Sequence, residues 1–334
     1  MNIQDMTSRS LLCVLGLLGL TLFASPVAGQ VFNSGLSNPN DFFTVVNVPT
    51  TPSFGDSTSF TTSNGDTTQV NLFAGGSVGN LSEINLGVEL NVRGGSLGSG
   101  FDANSGSELN IRGGIVGEQL AALPGSQINI SGGSVGDSFF IQLDSEVNIS
   151  GGTVGFIVAF ADSVLNISGG SIGRGSVSAD LFATSDSEVN ISGGNIGTVS
   201  GGVGAEVNLF GSDFVLDGVS LDSSVALGSA LTIVDRDVTL SGLLDDGSPF
   251  SFDLNSTIID GEDRFDPSAT LTVTLGPQFI LGDCDLNREV NFADIAPFIQ
   301  ILQDGTFLHQ ADCNQDGEVT FADITSFIAI LQAS

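Results

Sequence analysis

The chain has 334 residues, with 7 basic against 38 acidic side chains and a net charge of −31. All seven basic residues are arginine, and Trp and Tyr are absent. Such a field repels polyanions, which excludes nucleic acid and an anionic membrane surface as partners. It suits cation binding, or adaptation to salty, calcium-rich water.

At the N-terminus, Arg9 precedes a largely apolar run from Leu11 to Phe23, followed by the small residues Ser25-Pro26-Val27-Ala28-Gly29. The run is too short for a membrane-spanning helix, which needs roughly 20 residues. This pattern predicts a signal peptide over 1–29, a secreted chain at the cell surface or beyond, and no transmembrane anchor. Cys13 lies inside that segment. The mature chain keeps Cys284 and Cys313, which in an exported protein either form a disulfide or stay as two buried thiols.

Residues 30–68 are rich in Ser, Thr and Asn with scattered Phe. Phe42 to Val46 reads as a strand and Asn64-Gly65-Asp66 as a turn. This stretch is expected to form an N-terminal cap, because solenoid ends expose apolar core and unpaired strand edges.

Residues 69–214 hold eight near-copies of one phrase, an aliphatic-Asn-aliphatic triplet usually followed two residues later by Gly-Gly. Its asparagines are Asn71, Asn91, Asn110, Asn129, Asn148, Asn166, Asn190 and Asn208. A period near 19 residues, rich in glycine and β-branched side chains, marks a β-solenoid. Alternation sends Val147 and Ile149 to one face and Glu146, Asn148 and Ser150 to the other. Gly151-Gly152 predicts a corner, because glycine reaches positive φ without steric cost. A second strand follows in each copy, as at Phe139-Phe140-Ile141, and Asp162-Ser163 predicts another corner. Stacking the copies predicts inner rows of aliphatics and an outer ladder of asparagine amides. Beside the ladder runs a row that includes Glu89, Glu108, Glu146, Glu188 and Glu206, with Arg93 and Arg112 four residues along from the first two. The 24-residue step between Asn166 and Asn190 predicts a surface insertion around Gly175 to Ala179. Residues 215–281 lose the period and read as a small antiparallel β cap with a hairpin turn at Asp245-Asp246-Gly247-Ser248, then a linker from Gly276-Pro277.

The strongest chemical signal occurs twice within 282–334. The first copy runs from Asp283 to Asp294 and the second from Asp312 to Asp323. Side-chain oxygens fall at positions 1, 3, 5, 9 and 12 of each twelve-residue loop, the spacing that wraps a calcium ion. The predicted Ca2+ ligands are Asp283, Asp285, Asn287, Asn291 and Asp294, then Asp312, Asn314, Asp316, Thr320 and Asp323. Glu289 and Glu318 add the backbone carbonyl at position 7. Gly317 supplies the sharp turn at position 6, whereas Arg288 stands there in the first loop and predicts a weaker site. A short apolar helix is expected after each loop, over 295–302 and 324–331, with Pro297 tolerated in the first turn. Metal would then supply part of the folding energy of this small segment.

Residues 282–334 resemble the dockerin family on these duplicated loops and their following helices. The resemblance implies a non-catalytic, α-helical calcium-binding module that docks onto a cohesin-like or other cell-surface protein, often in polysaccharide-degrading assemblies. Family members read their partner partly through positions 10 and 11, here Phe292-Ala293 and Phe321-Ala322, where small hydroxylated residues are commoner. That departure implies a partner other than a standard cohesin. The repeats resemble, more loosely, parallel β-helix proteins, a group with pectate-lyase-like enzymes, adhesins and inert spacers.

No catalytic set stands out. Among the repeats the only basic residues are Arg93, Arg112 and Arg174, at places dictated by the period. The sole histidine, His309, lies between the two loops and reads as a loop residue. A glycosidase needs paired carboxylates at a set separation, and no Asp or Glu departs from the repeat to mark one. The four Asn-Ile-Ser sequons at Asn129, Asn148, Asn166 and Asn190 are by-products of the period. The expected protein is mainly β: a parallel solenoid of about eight coils, a β cap and a dockerin-like module. Its expected role is a secreted, non-enzymatic surface or scaffold protein. The alternatives are an extracellular polysaccharide-degrading lyase or hydrolase carried in such an assembly, and an adhesive matrix protein bridged by calcium.

Overall fold

The computed structural model describes residues 31–33, 43–48, 53–62, 67–173, 180–221, 228–257, 262–276, 280–285, 290–304, 308–314 and 318–333. The signal-peptide region, the turn at Asn64 to Asp66 and the insertion at Gly175 to Ala179 lie outside them. The fold is mainly β, a parallel solenoid of about seven turns. The chain divides into two compact units, residues 1–164 and 165–334.

In the first unit, two rows of strands stack coil on coil. The main row runs Phe43–Val48, Thr67–Leu72, Val88–Leu97, Glu108–Val116, Gln127–Val135 and Glu146–Val154, each parallel to the next. The second row holds short strands such as Asp102–Ala103, Ala121–Ala122, Phe139–Ile141 and Ile157–Ala159. Equivalent residues sit directly opposite: Leu109 faces Ile128, Asn110 faces Asn129, and Ile111 faces Ile130. The register reaches one copy further than the eight counted in the sequence, because Asn47 pairs with Asn71. Val46-Asn47-Val48 is therefore the same phrase, and this part of the N-terminal stretch continues the stack.

The aliphatic rows are the core. Val70, Leu90, Leu109, Ile128 and Val147 are each 0% exposed, and Leu72, Val92, Ile111, Ile130 and Ile149 at most 1%. The outward rows solve a different problem, the stacking of like charges. Asn129 donates through Nδ2 to Asn110 Oδ1 at 2.9 Å, and Asn148 to Asn129 Oδ1 at 3.0 Å. The same amides reach the glutamates of their own coils, Asn110 to Glu108 at 2.9 Å and Asn148 to Glu146 at 3.0 Å. Gln69 and Asn91 both donate to Glu89. Each of these carboxylates thus accepts from a neutral amide of its own coil, although Glu108 stands directly opposite Glu89 in the register.

Gly75-Gly76 makes the expected corner, in a turn between Thr67–Leu72 and Ser77–Val78. From Gly94-Gly95 to Gly193-Gly194 the pairs instead lie inside one strand, bulged as shown by the register shifts on either side of Arg112 against the next coil. The second glycine takes positive φ, as at Gly114 (86°) and Gly152 (82°). The bulge re-aims the chain while pairing continues, so the strand stays nine residues long. True corners come at Asp144 and Asp162, both at positive φ. There Ser145 and Ser163 donate to the carbonyls of Gln142 and Phe160.

The second unit continues the pattern with Val164–Ile172, Glu188–Ile196 and Glu206–Leu216 in one row. Leu181–Ala183 and Val199–Gly201 lie in the other. The expectation of a wholly antiparallel cap over 215–281 is corrected here. Arg264–Phe265 pairs in parallel with Val199–Gly201, and Thr270–Leu275 in parallel with Glu206–Leu216. Leu271-Thr272-Val273 keeps the apolar-polar-apolar order of a repeat, with threonine in the asparagine place opposite Asn208. The antiparallel part is the excursion between, where Thr239–Leu244 pairs with Glu206–Leu216 and with Pro249–Asp253 across the expected turn.

Two charged side chains sew this excursion down. The Arg236 guanidinium donates to the carbonyls of Ile233 (3.0 Å), Phe265 (3.2 Å) and Ala269 (2.7 Å). The buried Asp263 carboxylate accepts from the N–H groups of Val199 (2.6 Å) and Asp253 (2.9 Å). Burial pushes the Asp263 carboxyl up from 3.8 to about 6, with Asp253 and Glu262 adding to the rise. A raised carboxyl favours the fold when protonated. Its stabilisation is fully present below about pH 4 and is lost as the pH rises through about 6, on the order of 2–3 kcal/mol. Half-buried Asp245, pushed to about 6 by burial and Asp246, acts in the same direction. Exposed Asp237 and half-buried Asp266 are lowered and act oppositely at lower pH. The readout is therefore a comparison: the melting temperature of the chain should fall from mildly acidic to neutral pH more steeply than that of Asp263→Asn. Equal slopes would refute the assignment.

Among the described residues, no helix is long and apolar enough to cross a membrane.

Candidate metal centre

The C-terminal segment builds two equivalent half-sites. A short 3-10 turn, Phe292–Asp294, leads into the first helix, Ile295–Asp304, and the second helix is Asp323–Ala333. Both helices fall where the sequence placed them. Equivalent residues are 29 apart, as in Asp283 and Asp312, Cys284 and Cys313, Asp294 and Asp323, Phe298 and Phe327. Phe298 and Phe327 stack with ring centroids 4.0 Å apart. Around them Cys284, Ala311 and Cys313 complete a small buried cluster, flanked by Ile301, Leu302, Ile324 and Leu331.

The last residue of each loop organises the rest. Asp294 is fully buried, and its carboxylate accepts three backbone N–H groups: Cys284 at 2.7 Å, Asp285 at 3.0 Å and Asn291 at 2.8 Å. Asn291 answers by accepting from Ala293 N–H at 2.8 Å, which completes a capping box. The second loop repeats this arrangement. Asp323, also fully buried, accepts from Asn314 N–H at 3.1 Å and Thr320 N–H at 2.8 Å. Thr320 Oγ1 accepts from Ala322 N–H at 3.1 Å. Positions 9 and 12 thus close the loop and start the helix with one set of bonds.

In the first loop, Asp283, Asp285 and Asp294 each offer an oxygen, and these atoms lie within 4.8 Å of one another. Oxygens bound to one calcium at 2.3–2.6 Å lie at most about 5 Å apart. The three carboxylates therefore fit a single hard cation. Asp283 and Asp294 are buried and Asp285 is exposed, so the set opens to solvent on one side. Asn291 stands beside it; Asn287 and Glu289 lie outside the described residues, as does Arg288. In the second loop, Asp312 and Asp323 are buried, Asn314 and Glu318 exposed, and Asp316 lies outside the described residues.

The two cysteines are free thiols in this structure. Burial pushes Cys284 up to about 12, with Cys313 and then Asp294 adding to the rise, and burial followed by Asp323 does the same for Cys313. Both pack in the buried cluster with Phe298 and Phe327. Phe292 and Phe321, at position 10 of their loops, project into solvent at 81% and 78% exposure.

No protein-family model, curated protein or solved structure matches this chain.

Proposed function

We propose that the protein is an exported, non-catalytic β-solenoid whose C-terminal segment binds two calcium ions and docks the chain onto a partner in the manner of a dockerin. The observation that carries the reading is the meeting of Asp283, Asp285 and Asp294 oxygens around one point, with the loop amides of both half-sites gathered by Asp294 and Asp323. In the first loop Asp283, Asp285, Asn287, the Glu289 carbonyl, Asn291 and Asp294 hold the ion. Asp312, Asn314, Asp316, the Glu318 carbonyl, Thr320 and Asp323 hold the second. Calcium neutralises carboxylates that a chain of net charge −31 would otherwise crowd together. Exposed Phe292 and Phe321 supply the apolar contact with the partner, which is a cell-surface protein or a component of a polysaccharide-bound assembly.

Calorimetric titration of the metal-stripped chain with calcium should resolve two sites, the one containing Arg288 weaker. Absence of binding heat would overturn the reading, and two equal sites would overturn the role given to Arg288. A polysaccharide panel should release neither reducing ends nor unsaturated products; reproducible turnover would make the solenoid an enzyme.

A further inference from the structure

Cys284 and Cys313 occupy the second position of the two loops, each 6% exposed, and belong to one buried cluster. The backbone brings their segments together. Gly282, two residues before Cys284, donates its N–H to the Gln310 carbonyl at 2.8 Å, and the Cys313 thiol lies 3.6 Å from that same oxygen. The core around them is small, and domains of this size commonly rely on a covalent or metal staple. An exported chain folds where such staples form.

We propose that Cys284 and Cys313 are an intramolecular disulfide site that joins the two loops. The structure holds the reduced form. In the oxidised form two S–H bonds break and one S–S bond forms. The two protons and two electrons pass to a disulfide oxidant, such as oxidised glutathione, whose own S–S bond breaks to give two thiols. Exchange requires access by the oxidant, so the bond forms as the two halves meet during folding, and the closed core then shields it. The closed ring removes conformations from the unfolded chain without demanding any new packing. This inference does not depend on calcium or on a docking partner.

The test refolds the full reduced chain with oxidised glutathione and digests it without reduction. A single linked peptide pair carrying Cys284 and Cys313, two hydrogens lighter than the reduced pair, is expected. Reductant should then lower the melting transition of the C-terminal helices. Cys284→Ser, which keeps a small side chain in the cluster, should lose both the linked pair and the response to reductant. Recovery of both residues as free thiols, or linkage to Cys13 or to a second chain, would overturn the proposal.

Discussion

Replacing Asp294 with alanine should unfold the C-terminal segment and, with it, abolish the first of the two proposed calcium sites. Three backbone N–H groups lose their acceptor at once. An unsatisfied buried donor costs about 1–3 kcal/mol, so the combined loss is about 3 kcal/mol or more. That is most of what a core of five buried residues can hold. Asp294→Asn keeps one acceptor oxygen and should fall between. Asp304→Ala is the control, since Asp304 is exposed on the first helix, where its carboxylate accepts from the Gln300 amide. Helix content by circular dichroism and calcium heat should fall together in Asp294→Ala and stay level in Asp304→Ala. An Asp294→Ala chain with full helix content would show that the carboxylate does not organise the loop.

The second large effect lies in the solenoid and separates two adjacent glycines. A Cβ on Gly114 would sit 2.6 Å from the Gly95 carbonyl oxygen and 2.8 Å from the Gly94 carbonyl carbon, at φ +86°. Neither neighbour is a flexible side chain, so the coils must part. A Cβ on Gly113 would meet only the Arg93 backbone, at 3.2 Å, and its φ is not in the left-handed region. Gly114→Ala should therefore cost about 3 kcal/mol, from strain in the left-handed region and from overpacking. Gly113→Ala should cost less than about 1 kcal/mol. Denaturant midpoints would give the difference. Loss of amide protection confined to Val88–Leu97 and Glu108–Val116 would locate it. Equal midpoints for the two variants would refute the bulge as the critical feature.

The aliphatic and asparagine rows are legible in the sequence because a parallel stack converts a period directly into a column. The same logic made Val46-Asn47-Val48 readable, yet its 24-residue distance from Asn71 hid it. Thr272 was hidden differently. A hydroxyl replaces the amide, and the excursion before it breaks the count. Gly75-Gly76 turns the chain as expected, but the later Gly-Gly pairs misled because positive φ marks a bulge as readily as a corner, and only cross-coil pairing distinguishes them. The seams made by Arg236 and Asp263 join residues up to 64 apart through backbone groups, which carry no sequence signature. In the C-terminal segment, residue type and spacing located Asn291, Asp294, Thr320 and Asp323, the four residues that close the loops. They did not reveal that Asp294 and Asp323 serve the backbone as well as any ion.

The amide ladder makes the coils interchangeable. Asn129 and Asn148 each donate to the asparagine oxygen of the coil before, so copies of this kind can follow one another with their polar edge satisfied. A gene duplicating or deleting one whole period within the first unit would keep its aliphatic and asparagine rows in register. A family built on this plan should vary by whole multiples of some nineteen residues, with the two terminal pieces unchanged.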